Sequence, residues 1–301
     1  MKTLLVLSIA LVLQVHAQTT NVDRALQEQL VQLTNGFHGT AGIYVRNIRT
    51  GATAAVNADT LFPTASMIKV PILCALFDRI NRGELTYRQE VVYTDSMKYD
   101  DGITGSFRDS TKISVSQLAH LMISVSDNTA ALWLQALAGT GTAINDWLER
   151  NGLHQTRMNS RTPGREGFWE IYGWGMTTPR EMAELVARIR AGKAVSPAAS
   201  ERMYRILCRS YWDGYALSQI PPFVQAASKQ GAVNESRSEV VLVDAPSGDY
   251  VFCVITKNQT DQSWGLQNEG FALIRDVSRL LWKHFEPKSR WSPAPGMEDL
   301  W

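Results

Sequence analysis

The sequence predicts an α/β fold of the α+β kind, with one sheet assembled from both ends of the chain and an all-helical lobe inserted between them. Three observations carry that expectation. Strand-like runs stand at Ala41–Asn47 and Thr53–Asn57 near one end and at Val240–Asp244 and Tyr250–Thr256 near the other. Between them the apolar residues recur mostly at helical spacing. A content of 45% apolar residues in a chain of 301 is enough to bury one large core or two lobes.

Taken in order, the elements follow from local chemistry. Met1-Lys2-Thr3, the apolar run Leu4 through Val15 and the ending Val15-His16-Ala17 read as an export signal over 1–17, cut before Gln18. The run is too short for a comfortable transmembrane span, and no cysteine follows the cut to carry a lipid. An amphipathic helix is expected over Asn21–Leu33, then two strands joined by Arg49-Thr50-Gly51. Helical patterns follow at Ala65–Asn81, Ser116–Ser124, Thr129–Ala138, Thr142–Asn151, Pro179–Ala191 and Ala198–Arg209. Ala245-Pro246-Ser247-Gly248 is a hairpin turn between the last two strands, and Phe271–His284 closes the fold as a helix. The domain spans 18–286, with the sheet lobe from 18–64 and 210–286 and the helical lobe from 65–209. With three prolines and no periodicity after Phe285, residues 287–301 read as a loose tail.

A formal charge of +1 with no basic run argues against nucleic acid as a partner. The cysteines make no framework: Cys74 reads as a packing residue in a helix, and a Cys208–Cys253 bond is left open. His38, His120, His154 and His284 stand at no metal-ligand spacing, and no Gly-x-Ser-x-Gly elbow occurs.

Chemistry concentrates in three segments. Ser66-Met67-Ile68-Lys69 places a hydroxyl and an amine on one face of a helix start, within a mostly apolar setting. Lys69 can take the Ser66 proton if burial or a nearby cation lowers its pKa. Thr64 is the expected N-cap, which leaves first-turn N–H groups free to hold an oxyanion. Ser126-Asp127-Asn128 offers a hydroxyl to relay a proton and an amide for a substrate amide, although the same residues make an ordinary turn or cap. Lys229-Gln230-Gly231, followed by Ala232, sets a cation at an edge strand. Its glycine permits close backbone approach, and the Ala232 N–H is the second oxyanion donor. An ordinary Lys-Gly turn is the plainer alternative.

Together and in this order the three segments resemble the active-site set of the class A β-lactamases and related penicillin-recognising serine enzymes. The resemblance runs from about Thr40 to His284 and includes Met176-Thr177-Thr178-Pro179-Arg180-Glu181-Met182-Ala183, similar to the start of the family's helix after its Ω-shaped loop. It implies a β-lactamase-like fold with a mixed antiparallel sheet. It further implies Ser66 as the acylated nucleophile, Lys69 as its base, Ser126 as proton shuttle, Asn128 as substrate ligand and Lys229 as carboxylate anchor, with Gly231 and Ala232 beside the substrate. No cofactor and no metal are implied. The expected partner is a small molecule, a β-lactam or D-alanyl-D-alanine peptide, met by an exported, periplasmic or secreted monomer without stable membrane insertion.

Two departures bear on the reaction. Gln230 stands where the family has Thr or Ser. In the loop before Met176 the family carries a glutamate that activates the deacylating water, with an asparagine four residues on. Counting without gaps puts Thr162 and Glu166 at those positions. A local shift would bring Glu166, or less easily Glu170, into the catalytic role, and Glu166 is the candidate base. With such a base the chain is a β-lactamase. Without one it is a D-alanyl-D-alanine peptidase or other penicillin-binding cell-wall hydrolase, or a non-catalytic binder of β-lactams or peptidoglycan stems. The aromatics of Tyr172-Gly173-Trp174-Gly175 either pack the loop or line the substrate entrance, packing being the commoner fate.

Overall fold

Asp23 caps the first helix, its carboxylate accepting from Leu26 N at 3.0 Å. The structure, a computed structural model, describes residues 21–297; the export signal expected over 1–17 lies outside them. Helix α1 (Arg24–Thr34) leads into β1 (Thr40–Asn47), β2 (Thr53–Val56) and the short β3 (Phe62–Pro63). Then come α2 (Lys69–Asn81), the β4 (Glu90–Val92) and β5 (Lys112–Ser114) pair, and helices α3 (Val115–Ser124), α4 (Asn128–Leu137) and α5 (Thr140–Arg150). Strand β6 (Arg157–Met158), helix α6 (Glu166–Tyr172) and β7 (Gly175–Thr177) make the next loop region, followed by α7 (Pro179–Arg190) and α8 (Pro197–Leu207). Strands β8 (Ala226–Val233), β9 (Ser236–Val243) and β10 (Tyr250–Lys257) and helix α9 (Glu269–Phe285) complete the fold.

Both ends of the chain do build one antiparallel sheet, in the order β2-β1-β10-β9-β8. Its three central strands are buried on both faces, so alternate residues enter two cores. Ile43, Val45, Val241, Val243, Phe252 and Val254 pack with α1 and α9. Tyr44, Val240, Leu242, Val251, Cys253 and Ile255 join the core made with the helices of the middle segment. Helix α7 lies directly against β1, β9 and β10 on that face.

Local signals explain most boundaries. Ser114 and Gln117 form a reciprocal capping box at α3. Asp127 caps α4 by accepting from Ala130 N at 2.7 Å. Thr178 caps α7 with Pro179 in its first turn.

Other expectations are corrected. Thr64 is not an N-cap: its backbone is helical and its hydroxyl is buried without a hydrogen-bond partner. A 3-10 turn over Ala65–Ile68 precedes α2, and Ala65 takes φ +43 to enter it. The segment after α9 is held down at least in part, since Glu286 accepts from Ser247 N at 2.6 Å and Trp291 meets Trp282 edge to face at 6.4 Å. All three cysteines are free. Among the described residues no helix is long and apolar enough to cross a membrane, and no group of three or more His, Cys, Asp or Glu is placed to hold a metal ion.

Candidate active site

Edge strand β8 sets the geometry of the site. Its hairpin with β9 closes on the Val233–Ser236 pair, with only Asn234 and Glu235 in the turn. Alternation along an antiparallel ladder then directs the Gly231 N–H toward β9 and the Ala232 N–H toward the open edge. The 3-10 turn carrying Ser66 packs against this edge. A β-carbon on Gly231 would fall 2.7 Å from Thr64 O and 2.8 Å from Ser66 N. Only glycine permits that approach, which brings the Ser66 and Ala232 amides to one side of a cleft.

Lys69 meets Ser66 directly, and Ser126, Asn128 and Lys229 connect to it through one hydrogen-bonded cluster. Lys69 is fully buried, and its Nζ lies 3.0 Å from Ser66 Oγ and 3.0 Å from Ser126 Oγ. The same nitrogen donates to Asn128 Oδ1 at 2.7 Å and to Ser126 O at 2.5 Å. Those two oxygens only accept, and the amide orientation is set by Asn128 Nδ2 donating to Asp100 Oδ2 at 2.7 Å. A neutral amine therefore spends both hydrogens on them and turns its lone pair toward the two hydroxyls. Burial pulls the Lys69 ammonium down to about 7, against the raising pull of Asp127 and Asp100.

Lys229, equally buried, donates to Ser126 Oγ at 3.0 Å and to Gln230 O at 2.9 Å. Its pKa is well below the ordinary lysine value, through burial first and then the Lys69 charge. Gln230 Oε1 is a third acceptor at 3.3 Å, so the amide that replaces the family's hydroxyl turns back to the same lysine. Ser126 is held at φ +65, a left-handed backbone that costs energy in a serine and that the surrounding contacts maintain.

The cleft has a volume of about 470 Å³ and is lined by Ser66, Tyr99, Asn128, Trp174 and Ala232 among others. Tyr172, Gly173 and Trp174 also form its wall, so these aromatics do more than pack the loop. The Trp174 ring centroid lies 5.9 Å from Lys69 Nζ.

Glu166 is not part of this cluster. It sits exposed at the start of α6 with Oε1 accepting from Gly164 N at 3.1 Å. Glu166 and Glu170 line a second cavity together with Thr162 and Trp169. Tyr99 and Trp174, in edge-to-face contact at 5.2 Å, line both cavities and form the partition between them. Thr162 is buried, its hydroxyl donating to Ser160 O at 2.9 Å. The loop count that aligns Thr162 with the family's glutamate therefore leaves no carboxylate in the lining of the Ser66 cleft from this loop.

Asp100 and Tyr99 are site residues that sequence reasoning did not assign, and Trp174 lines the cleft, the less favoured of its two sequence readings. Nothing in the Asp100-Asp101 pair or the loop aromatics marks them locally, because their partners are on other elements.

A model of the β-lactamase enzyme family matches residues 24–285 of this chain. The chain belongs to the β-lactamase enzyme family. Among its relatives, β-lactamase VEB-1 of Pseudomonas aeruginosa is 20% identical over 90% of this chain and 92% of its own. A β-lactamase of Streptomyces albus G is 27% identical over 85% of this chain and 83% of its own. Of solved structures, that of PBP-A superposes with a TM-score of 0.79 at 28% identity, covering 89% of this chain and 98% of PBP-A. A mutant of PBP-A superposes equally well in its acyl-enzyme complex with penicillin G, at 28% identity over 88% and 98%.

Proposed function

We propose that this β-lactamase-family chain is a serine acyl-transferring hydrolase that opens β-lactam amides at Ser66 and deacylates slowly. Neutral Lys69 takes the Ser66 Oγ proton as that oxygen attacks the carbonyl carbon. The oxyanion is held by the Ser66 and Ala232 N–H groups. Ser126 delivers a proton to the departing nitrogen and is replenished from Lys69 or Lys229. Lys229 and the Gln230 amide receive the substrate carboxylate, and Asn128 orients Lys69 while facing the substrate amide. The carrying observation is the partition: Lys69 meets Ser66, whereas Glu166 and Glu170 lie beyond Tyr99 and Trp174. Acylation has its base and ester hydrolysis lacks a carboxylate.

The same partition favours a second reading, cleavage of D-alanyl-D-alanine ends. A linear substrate loses its leaving group and frees space for water beside Lys69, while an opened β-lactam keeps its nitrogen tethered over the ester. The leader-like residues 1–17 support a site of action outside the cytoplasm, and the compact cleft supports a small-molecule or peptide substrate.

Intact-mass spectrometry after exposure to a fluorescent penicillin tests the proposal. The wild type should carry one adduct that persists long after acylation is complete, and Ser66→Ala should carry none. An adduct on Ser66→Ala removes Ser66 as nucleophile, and rapid steady turnover by the wild type removes the slow-deacylation claim.

A further inference from the structure

The sheet carries a second cation toward the cleft, and the family's three motifs do not include it. Gly231 pairs with Ser238, and Ser238 with Ile255. Ser236 pairs with Val233, and extending the β9–β10 register two residues past Ser238 and Ile255 sets Lys257 opposite Ser236. Cross-strand partners share a face, so Lys229, Gly231, Ser236 and Lys257 are on one side of the sheet. The row of Lys257 is about 13 Å from the row of Lys229 at ordinary strand rise. Gly231, against the Ser66 nitrogen, stands midway.

Lys257 lines the Ser66 cleft together with Ser236, Glu235 and Asn258. Its ammonium is positioned: Nζ donates to Leu61 O at 2.9 Å and lies 5.0 Å from the centre of the Phe62 ring. That leaves two N–H donors. Among the described residues no carboxylate pairs with it within 4 Å. Beside it the Ser236 hydroxyl is buried, lines the cleft and has no hydrogen-bond partner. A buried unsatisfied hydroxyl is costly unless something completes it. Glu235, on the exposed hairpin turn, is the one carboxylate lining the cleft.

We propose that Lys257 and Ser236 form a specificity subsite for an anionic group, a free carboxylate on the acyl side of the substrate. The inference rests on the acyl-serine reading of Ser66. If Lys229 receives the carboxylate on the leaving side, Lys257 stands on the opposite side of Ser66, where the acyl portion must run. The substrate class is an acyl donor with a carboxylate on its side chain, as in a peptide ending in a dicarboxylic residue before the scissile bond. Glu235 tunes the subsite by competing for the same cation.

Benzylpenicillin and carbenicillin, which adds one carboxylate to the acyl side chain, are the probes. The readout is the ratio of their second-order acylation rate constants, which cancels effects on Ser66 chemistry common to both. Lys257→Met should lower the carbenicillin-to-benzylpenicillin ratio about tenfold, the scale of one charge-assisted hydrogen bond. Lys257→Arg should retain most of it. Glu235→Gln, on an exposed turn where folding is not at stake, should raise the ratio and steepen its fall with added salt. Ratios unchanged in both Lys257→Met and Glu235→Gln overturn the subsite. Failure of benzylpenicillin to label the wild type at all overturns the acyl-serine reading, and the subsite with it.

Discussion

Lys69 and Lys229 both reach the hydroxyl oxygen of Ser126, each at 3.0 Å. Two buried ammonium groups on one neutral acceptor repel each other in a low dielectric, and both amines titrate below ordinary lysine. The three groups form a proton relay in which one proton is shared and a neutral amine remains to activate Ser66.

That relay sets the pH dependence of acylation. Lys69 is a base only when unprotonated, and burial sets its pKa at about 7. The acylation rate should fall roughly tenfold per unit below that value and level off above it, following the fraction of free base. Asp127 and Asp100 hold the pKa up against burial, so Asp100→Asn should move the acid limb to lower pH. Stopped-flow labelling between pH 5 and 9 checks both, and a rate that shows no acid limb near 7 would exclude neutral Lys69 as the base. Lys69→Ala should slow acylation by about 100- to 10,000-fold.

Gly231→Ala tests the oxyanion site. The added methyl would meet Thr64 O at 2.7 Å and Ser66 N at 2.8 Å, both backbone atoms that cannot step aside. The edge strand or the 3-10 turn must move, separating the two amides. Acylation should drop by about 100- to 1,000-fold, the range for losing one preorganised donor, with circular dichroism unchanged. Near-normal labelling would mean that the Ser66 and Ala232 amides do not act together.

Ser66 and Lys69 were legible as a pair because a spacing of three residues sets them on one helical face. Ser126 and Lys229 joined them only through the family resemblance, their contacts with Lys69 and with each other spanning tens of residues. The two-ended sheet was legible from the short apolar, β-branched runs of β1, β9 and β10. Strand β8 was not bounded in advance, since Lys229-Gln230-Gly231 breaks the apolar alternation that marks a strand. Helix α6 was missed because it has seven residues and buries none of them, leaving no periodic apolar face to read. Asp100 and the Tyr99–Trp174 wall depend on contacts between loops tens of residues apart, and no local pattern encodes those. The Thr64 cap failed for a different reason: the chain enters α2 through a 3-10 turn wedged against β8, so tertiary packing overrode capping preference.

Glu239 predicts the pH dependence of stability. It is fully buried on β9, accepting from Ser228 Oγ at 2.5 Å and Ala216 N at 2.8 Å. Burial lifts its pKa from 4.5 to about 7. Between those values the folded chain keeps a proton that the unfolded chain has released, so this residue makes stability fall as pH rises through that window. Lys69 acts above it with the opposite slope, since its folded pKa is depressed. Glu239→Gln should flatten the decline in Tm between pH 5 and 7 by a few degrees. An unaltered slope in the variant would assign the decline to other groups.

The lifetime of the acyl-enzyme should be governed by Trp174. Its indole lies 5.9 Å from Lys69 Nζ and separates the cleft from the cavity of Glu166 and Glu170. In the intact protein neither Glu166→Gln nor Glu170→Gln should change the decay of a penicilloyl adduct, because neither carboxylate reaches the ester. Trp174→Ala joins the two cavities and admits water that a loop carboxylate can polarise. The adduct should then decay about tenfold faster or more, part of the 100- to 10,000-fold that a positioned base supplies. Combining Trp174→Ala with each glutamine variant identifies the carboxylate, since only the responsible one cancels the gain. Should Glu166→Gln alone prolong the adduct in the otherwise intact chain, the loop must swing past Trp174 during turnover, and the chain hydrolyses β-lactams with Glu166 as its base.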